Sequence, residues 1–388
     1  MIPFPNGSSA NGRRRPGEGA AEIGQSRRGS GRTLFLVSLS RTPCGVEMFA
    51  RRLLESCRAT GIEGRFHALS GALRELGELR RATTGIGSLV VSIPVVAWKR
   101  ALFAPAAAMI MARLRGARTI VVLHEWADLD WRRRIVVAGY LLFARTILFS
   151  SPLVRAQFAR TLVGRLPFKT GLVPIPPNVR RPPQLPSTPL ARRLEEEKAK
   201  KRLILGHFGS IYPKKRSSFV LDVAAALRRM QIDVFVVFIG SFIAGSRDVE
   251  SEFYARAAAL GLADDILVTG YIEAEAEIFA LFERVDAFVY SFAEGLSSRR
   301  GSVLACLQSG RRVFVNSPVL PGEFDHHPAF RKALAGGQLR LAPTEASAQD
   351  FADAIMASDW RPSSEPFEFF HESWRDAVGA IAATLGAR

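Results

Sequence analysis

Cysteine is scarce in this chain: Cys44, Cys57 and Cys306 stand apart in 388 residues, with no repeat in their spacing. That excludes a disulfide framework and a cysteine-built zinc cluster, and it fits a reducing compartment, most simply the cytoplasm. Long apolar runs are missing too. The best candidate for a membrane span, Ile135–Phe149, is short and carries Arg145, whereas a span needs about 20 apolar residues. Several catalytic signatures are absent: a glycine-rich P-loop ending in Lys-Ser or Lys-Thr, His-Glu-x-x-His, and Gly-x-Ser-x-Gly. Asp128-Leu-Asp130 has the spacing of an Asp-x-Asp metal motif, but it lies in a loop-and-helix context beside Trp131 and is set aside. Acidic residues are outnumbered, 36 against 53 Lys and Arg, for a formal net charge of +17.

That charge is compatible with nucleic acid, an anionic membrane face or anionic substrates. The basic residues are mostly Arg and scattered, with clusters at Arg13–Arg15, Arg132–Arg134, Arg180–Arg181, Lys214–Arg216 and Arg299–Arg300. No aromatic residues interleave a basic face and no nucleic-acid-binding module is recognisable, so nucleic acid is not expected as a partner. Hydrophobic residues make up 48% of the chain, enough for real cores. Met1–Gly31, rich in Gly, Ser and Arg and without an apolar stretch, reads as a disordered basic tail rather than a leader.

Apolar runs and amphipathic stretches alternate along the rest of the chain, which predicts an α/β protein with parallel sheets covered by helices on both faces. In the first half, strands are expected at Thr33–Leu39, Arg65–Leu69, Ser88–Val96, Thr119–Leu123 and Thr146–Ser150, with Leu172–Ile175 closing it. Helices are expected over Val46–Thr60, from about Lys99, and over Arg134–Ala144 and Pro152–Leu162. A proline-rich and then charged stretch interrupts the pattern. The alternation resumes with strands at Leu203–Phe208, Val234–Ile239, Ile266–Thr269, Val285–Tyr290, Val313–Val315 and Leu339–Leu341. The expected division is a tail at 1–31, a Rossmann-like domain at 32–179, a linker at 180–202, a second Rossmann-like domain at 203–370, and a C-terminal helix at 371–388. Two such domains leave a cleft between them, a common place for a ligand.

The loops after the strands carry the polar chemistry. Thr42-Pro43-Cys44-Gly45-Val46-Glu47 joins the first strand to the first helix, and Gly45 would let backbone approach a ligand closely. His124 ends the fourth strand beside Glu125, Trp126 and Asp128. Gly209-Ser210-Ile211-Tyr212-Pro213-Lys214-Lys215 opens the second half with cations beside a helix start, a combination suited to phosphate. After Val285–Tyr290 come Glu294 and then Ser297-Ser298-Arg299-Arg300-Gly301-Ser302, two Arg with flanking hydroxyls ahead of another helix.

Taken together, these segments resemble the family-4 type of retaining glycosyltransferase, the GT-B class with two Rossmann-like domains. The resemblance runs from about Thr33 to Ala383. Gly45–Glu47 looks like the family's Gly-Gly-Val-Glu loop, with Cys44 at the first Gly. His124 matches the strand-end His that lines the donor-sugar pocket. Gly209 and Lys215 match a Gly-Arg-x-x-x-x-Lys diphosphate clamp, with Ser210 at the Arg position. Glu294 matches the first of two Glu, which contacts sugar hydroxyls, while the second falls at Ala305. Trp374 looks like the aromatic that packs the last helix back across the first domain.

The resemblance implies a metal-independent, retaining hexosyl transfer from a nucleoside-diphosphate sugar to a hydroxyl of a glycan or lipid-linked glycan, in surface polysaccharide synthesis. It implies no cofactor. His124 and Glu294 are the expected catalytic contacts. Gly45, Gly209, Ser210, Lys215, Arg299, Arg300 and Ser302 are the expected donor-binding residues, with Arg299 or Arg300 replacing the Arg missing at Ser210. The first domain, through Arg132–Arg134 and the apolar helix around Phe103–Met111, is a candidate for peripheral contact with an anionic inner membrane face. A nucleotide-sugar epimerase on the same architecture, and a non-catalytic glycan- or nucleotide-binding protein, stay open as alternatives.

Overall fold

The computed structural model describes residues 32–37, 44–69, 75–95, 103–212, 215–242, 247–358 and 369–386. The expected tail, the loop residues Thr42 and Pro43, the helix start at Lys99, and Lys214 lie outside the described residues.

Among the described residues, twelve strands form two six-stranded sheets, every pairing parallel. The first half supplies β1 (Arg32–Val37), β2 (Gly64–Ala68), β3 (Ile86–Ile93), β4 (Arg118–Leu123), β5 (Thr146–Phe149) and β6 (Lys169–Leu172), in the order β2-β1-β3-β4-β5-β6. The second half supplies β7 (Leu203–Phe208), β8 (Val234–Ile239), β9 (Ile266–Val268), β10 (Ala287–Tyr290), β11 (Arg312–Asn316) and β12 (Leu339–Ala342), in the order β12-β11-β10-β7-β8-β9.

The apolar runs explain this arrangement. A parallel sheet is covered on both faces, so its strands need apolar side chains at every position. In β1, Leu34 and Leu36 enter one core while Phe35 and Val37 enter the core on the opposite face. In β7, Ile204 and Leu205 divide in the same way. The sequence placed β7 and β8 to the residue. It placed the close of the first half at Leu172–Ile175, whereas β6 runs Lys169–Leu172 and shares only Leu172 with it: β5 ends at Phe149, and the last ladder contact is Val173 N to Phe149 O at 2.9 Å. Two short helices, Glu75–Ala82 and Pro328–Ala335, were not anticipated.

The proline-rich joint is tied down rather than loose. Thr188 caps the helix Pro189–Ala199 by accepting from Ala191 N at 3.1 Å, and Ala191 and Leu194 are buried in the core of the second half. The last helix, Phe370–Gly386, crosses back to the first half. Trp374, Ala377, Val378 and Ile381 recur at helical spacing and share a core with Phe35, Val37 and Phe49. The Trp374 ring lies 5.7 Å from that of Phe49.

Candidate functional site

Loops leaving the C-terminal ends of strands in both sheets converge on one cleft of about 860 Å³. This is where open parallel sheets bind ligands. The segment after β4 contributes His124, Glu125 and Asp128; the loop after β7 contributes Gly209, Ser210 and, further on, Lys215; the loop after β10 contributes Arg299 to Ser302. Gly45 lines the cleft at the start of the helix Gly45–Ala59, and a Cβ there would meet nothing within 4 Å. Eight of the nine residues singled out from the sequence therefore line one cavity. Glu294 does not.

The wall from the second half is cationic. Gly209, at φ +120°, turns the chain beneath Lys215, and a Cβ at Gly209 would come 2.9 Å from the Lys215 Nζ. Gly240 permits this turn, because its own Cβ would strike the Gly209 carbonyl at 2.3 Å. Lys215 is half-buried, and enclosure pulls its pKa down to about 7, with Arg300 pushing the same way and Glu125 opposing. Arg300 lies over the Phe292 ring at 4.6 Å, and its Nε has no hydrogen-bond partner. Burial first, and then Arg299, hold its pKa below the ordinary Arg value. Among the described residues, neither Lys215 nor Arg300 has a carboxylate within ion-pair distance. Two cations that repel one another, with Glu125 and Asp128 acting on them only from beyond ion-pair distance, form an anion site. Ser302 stands in the first turn of the short helix Gly301–Leu307, and Ser210 is exposed at the cleft edge.

Arg299 differs from its neighbour. Its side chain is only 7% exposed and meets Asp128 at 2.8 Å, Glu294 at 3.4 Å and Glu125 at 3.6 Å. Burial, the largest influence, works against its charge, but Glu125, Asp128 and Glu294 together outweigh it and raise its pKa. Arg299 is thus compensated three times over and ties the two halves together. Glu294 is held on the far side of this knot, also accepting from Gln157 Nε2 at 3.2 Å. The sequence assigned Glu294 to sugar hydroxyls and treated the two Arg as equivalent; in this structure Glu294 stands behind Arg299, and only Arg300 is free to meet an anion.

The wall from the first half holds His124. It is buried, edge-on to Phe49 at 4.8 Å, and its Nε2 has no hydrogen-bond partner. Burial, aided by Arg299, lowers its pKa to about 3, so the ring is neutral near pH 7. A neutral imidazole with an idle nitrogen on a cavity wall is equipped to hydrogen-bond a ligand.

Sequence reading missed Glu323. This buried carboxylate accepts from Ser297 Oγ at 3.0 Å, from Ser298 N and Oγ at 2.9 Å each, and from Leu153 N at 3.1 Å. It pins the loop that carries the two Arg and also takes up an amide at the start of the helix Pro152–Ala159 in the other half. Its only sequence signal was a lone acid after the turn Pro321-Gly322. Asp130, set aside as a metal ligand, caps the helix Trp131–Leu141 by accepting from Arg133 N at 3.0 Å.

With this geometry in hand, the likeness to known proteins can be stated. Residues 191–298 match the family model for Glycosyl transferases group 1. No curated protein matches the chain. HepE from Anabaena, in a structure with UDP and glucose, superposes with a TM-score of 0.60 at 15% identity, covering 91% of this chain and 95% of that one. Sucrose-phosphate synthase from Thermosynechococcus elongatus superposes with a TM-score of 0.56 at 15% identity, covering 91% and 94%. WaaG, a glycosyltransferase involved in lipopolysaccharide biosynthesis, superposes with a TM-score of 0.54 at 13% identity, covering 91% and 98%. The fold is that of the GT-B glycosyltransferases, and the stretch 191–298 carries the group 1 pattern.

Proposed function

We propose that this protein transfers a sugar, with retention of configuration, from a nucleoside-diphosphate sugar to a hydroxyl of a glycan or lipid-linked glycan in surface polysaccharide synthesis. The observation that carries the reading is the pair of cations without an ion-pair partner, Lys215 and Arg300, in the same cleft as the unpartnered Nε2 of His124. The match over residues 191–298 and the GT-B fold support it.

In sugar transfer the leaving diphosphate gathers negative charge while the sugar becomes cationic. Lys215 and Arg300 meet the diphosphate and stabilise that charge where little water competes. Side chains supply this positive charge, so the reading assigns no resident metal. His124 donates to or accepts from a sugar hydroxyl, and being neutral it does not repel the cationic sugar. Gly45 leaves room for the ligand beside the first helix. Glu294 reaches sugar hydroxyls only by exchanging Arg299 and Gln157 for them, and we assign it that role in the donor-bound cleft. In this reading residues 32–179 receive the acceptor, 203–370 hold the donor, 180–202 join them, and 371–388 clasp the first domain. The site faces the cytoplasm.

The same reading places the protein peripherally on an anionic membrane. No helix among the described residues is long and apolar enough to cross one. Trp131 and Ile135 are exposed on one helix face beside Arg132–Arg134, the combination that binds an anionic interface. Sedimentation with anionic vesicles, released by high salt, is the expected result; indifference to lipid and to salt removes this part.

The donor assignment is tested by binding of UDP, GDP, ADP, CDP and dTDP, followed by ligand-observed NMR. One diphosphate is expected to bind the wild type and to be lost in Lys215→Ala/Arg300→Ala. If none binds a folded protein, the donor site is wrong. A non-catalytic binding protein would then come first, a reading favoured by the fully buried Ala305, which can offer nothing to a ribose.

A further inference from the structure

The segment that leaves β6 belongs to the first half by chain order, but the second half fixes its main chain. His327 Nε2 donates to Ile175 O at 3.0 Å, Gln308 Nε2 donates to Val179 O at 2.8 Å, and Glu275 accepts from Arg180 N at 3.1 Å. The segment lies along the short helix Gly301–Leu307: a Cβ at Gly301 would come 2.9 Å from the Pro176 carbonyl oxygen and 3.8 Å from Asn178 N. Gly301, Ala305 and Gln308 are spaced to share one side of that helix, and Ala305 is buried in the same core as Val179. Ala305 brings no polar group to that side. Asn178 brings one from the segment itself: it lines the cleft, and its Oδ1 is enclosed without a hydrogen-bond partner.

An enclosed acceptor left unanswered destabilises the free protein, and on a cleft wall a ligand can answer it. An amide oxygen cannot bond a phosphate oxygen, because both only accept; it needs an O–H or N–H. Its surroundings decide which. On one side stands Gly301, next to Arg300 and, across the cleft wall, Lys215. On the other side the bond from Arg180 N leads to Glu275, and there Val179, Ile272 and Ile278 line the cleft. A nucleoside diphosphate whose phosphates meet the two cations extends past Asn178 toward this apolar end, and the part of it between phosphate and base is the ribose. We propose that Asn178 is a specificity-determining residue whose Oδ1 accepts a hydroxyl of the donor's ribose. The inference rests on the glycosyl-transfer reading and adds to it a residue that reads the nucleoside. Being neutral, the amide does so without cancelling the charge of Lys215 and Arg300.

The test titrates UDP, GDP, ADP and CDP, each with its 2′-deoxy and 3′-deoxy counterpart, into the full chain by calorimetry. For the base that binds, the wild type should hold the ribo form about five- to tenfold more tightly than one of the deoxy forms, the worth of one neutral hydrogen bond. Asn178→Ala should bring the ribo form down to that deoxy form and leave the deoxy form itself unchanged. Asn178→Asp retains an acceptor and should retain the preference. Equal affinity of the wild type for the ribo and both deoxy forms overturns the proposal, and that result needs no variant to fold. Two further results overturn it. Asn178→Ala could weaken ribo and deoxy forms alike, as a residue that only holds the segment in place would. It could instead weaken nucleotide sugars but not bare diphosphates, which would give the hydroxyl to the transferred sugar. Lys215→Ala/Arg300→Ala is titrated in parallel. If a diphosphate binds through the two cations with no ribose preference, the Asn178 assignment fails and the donor reading stands. If no diphosphate binds the folded wild type, the donor reading falls and the Asn178 assignment falls with it.

Discussion

The two walls of the cleft stand on sheets of the same design, yet they solve opposite problems. The second-half wall concentrates positive charge: Lys215 and Arg300 repel one another and neither is in ion-pair contact with a carboxylate among the described residues, one with its pKa near 7 and the other held below the usual Arg value. The first-half wall carries two buried rings, His124 held neutral and the Tyr140 phenol, beside the apolar side chains of Met48, Val95, Leu129, Val136 and Val137. Arg299 shows that proximity in sequence does not decide which role a residue takes. It is the immediate neighbour of Arg300, but three carboxylates absorb its charge. Unpaired charge marks a place prepared for a ligand, and paired charge marks a place where the protein binds itself.

The sharpest way to break this contrast is to remove the unpaired cations. Lys215→Ala and Arg300→Ala should each lower kcat/KM by about 10²–10³-fold, the effect of deleting one preorganised group at developing charge. Unfolding midpoints should hardly fall, because each change removes a repelled cation. A tenfold or smaller loss would mean the diphosphate lies elsewhere.

Arg299→Ala should do the converse. It leaves Glu125, Asp128 and Glu294 facing one another, at a cost in stability of about 3 kcal/mol in urea unfolding. That is the low end for a broken buried pair, since those carboxylates are 30–40% exposed and partly screened. Its effect on nucleotide-sugar affinity should be well below that of Arg300→Ala; equal losses would erase the distinction between the neighbours.

His124→Phe should lower kcat by about five- to tenfold, the worth of one neutral hydrogen bond, and should leave stability unchanged or higher because it deletes an idle buried nitrogen. No inflection from His124 is expected in rate profiles between pH 5 and 8, as its pKa is about 3.

The smallest effect is a proton count. Lys215, its pKa pulled down to about 7, is only partly protonated near neutrality and is driven to the charged form against a diphosphate. Binding of a nucleotide sugar, whose diphosphate does not titrate near neutrality, should therefore take up protons near pH 7. Calorimetry in buffers of different ionisation enthalpy measures this, and Lys215→Arg should abolish it. The same shift acts on folding. The unfolded chain keeps the Lys215 proton up to pH 10.5, whereas the folded protein sheds it near 7, so the unfolded state binds more protons in between. Stability should rise with pH across that window, through this residue.

The fold was legible because its inner strands are short, mostly apolar and fully buried runs with polar loops at both ends, as in Leu203–Phe208 and Val234–Ile239. The helices Glu75–Ala82 and Pro328–Ala335 escaped notice because each spans about two turns and buries at most three apolar side chains. The site was legible as a set of loops, since strand ends in a parallel sheet all open toward one edge. Side-chain direction within those loops was not. Arg299 and Arg300 sit on irregular backbone where no period fixes which faces the cavity, and the partners that decide it, Asp128 and Glu125, lie more than 170 residues away. Glu323 was hidden for the same reason: its partners are two serines and a backbone amide, none of which marks the sequence.

The last helix has a consequence for synthesis. Trp374, Ala377, Val378 and Ile381 complete the core on one face of the first sheet, alongside Phe35 and Phe49. A nascent chain emerges from its N-terminus, so the part of that face not covered by the helix Gly45–Ala59 stays open until residues beyond Phe370 have been made. The half that is translated first is the last to be finished, and any chain released before Phe370 would carry an open apolar surface.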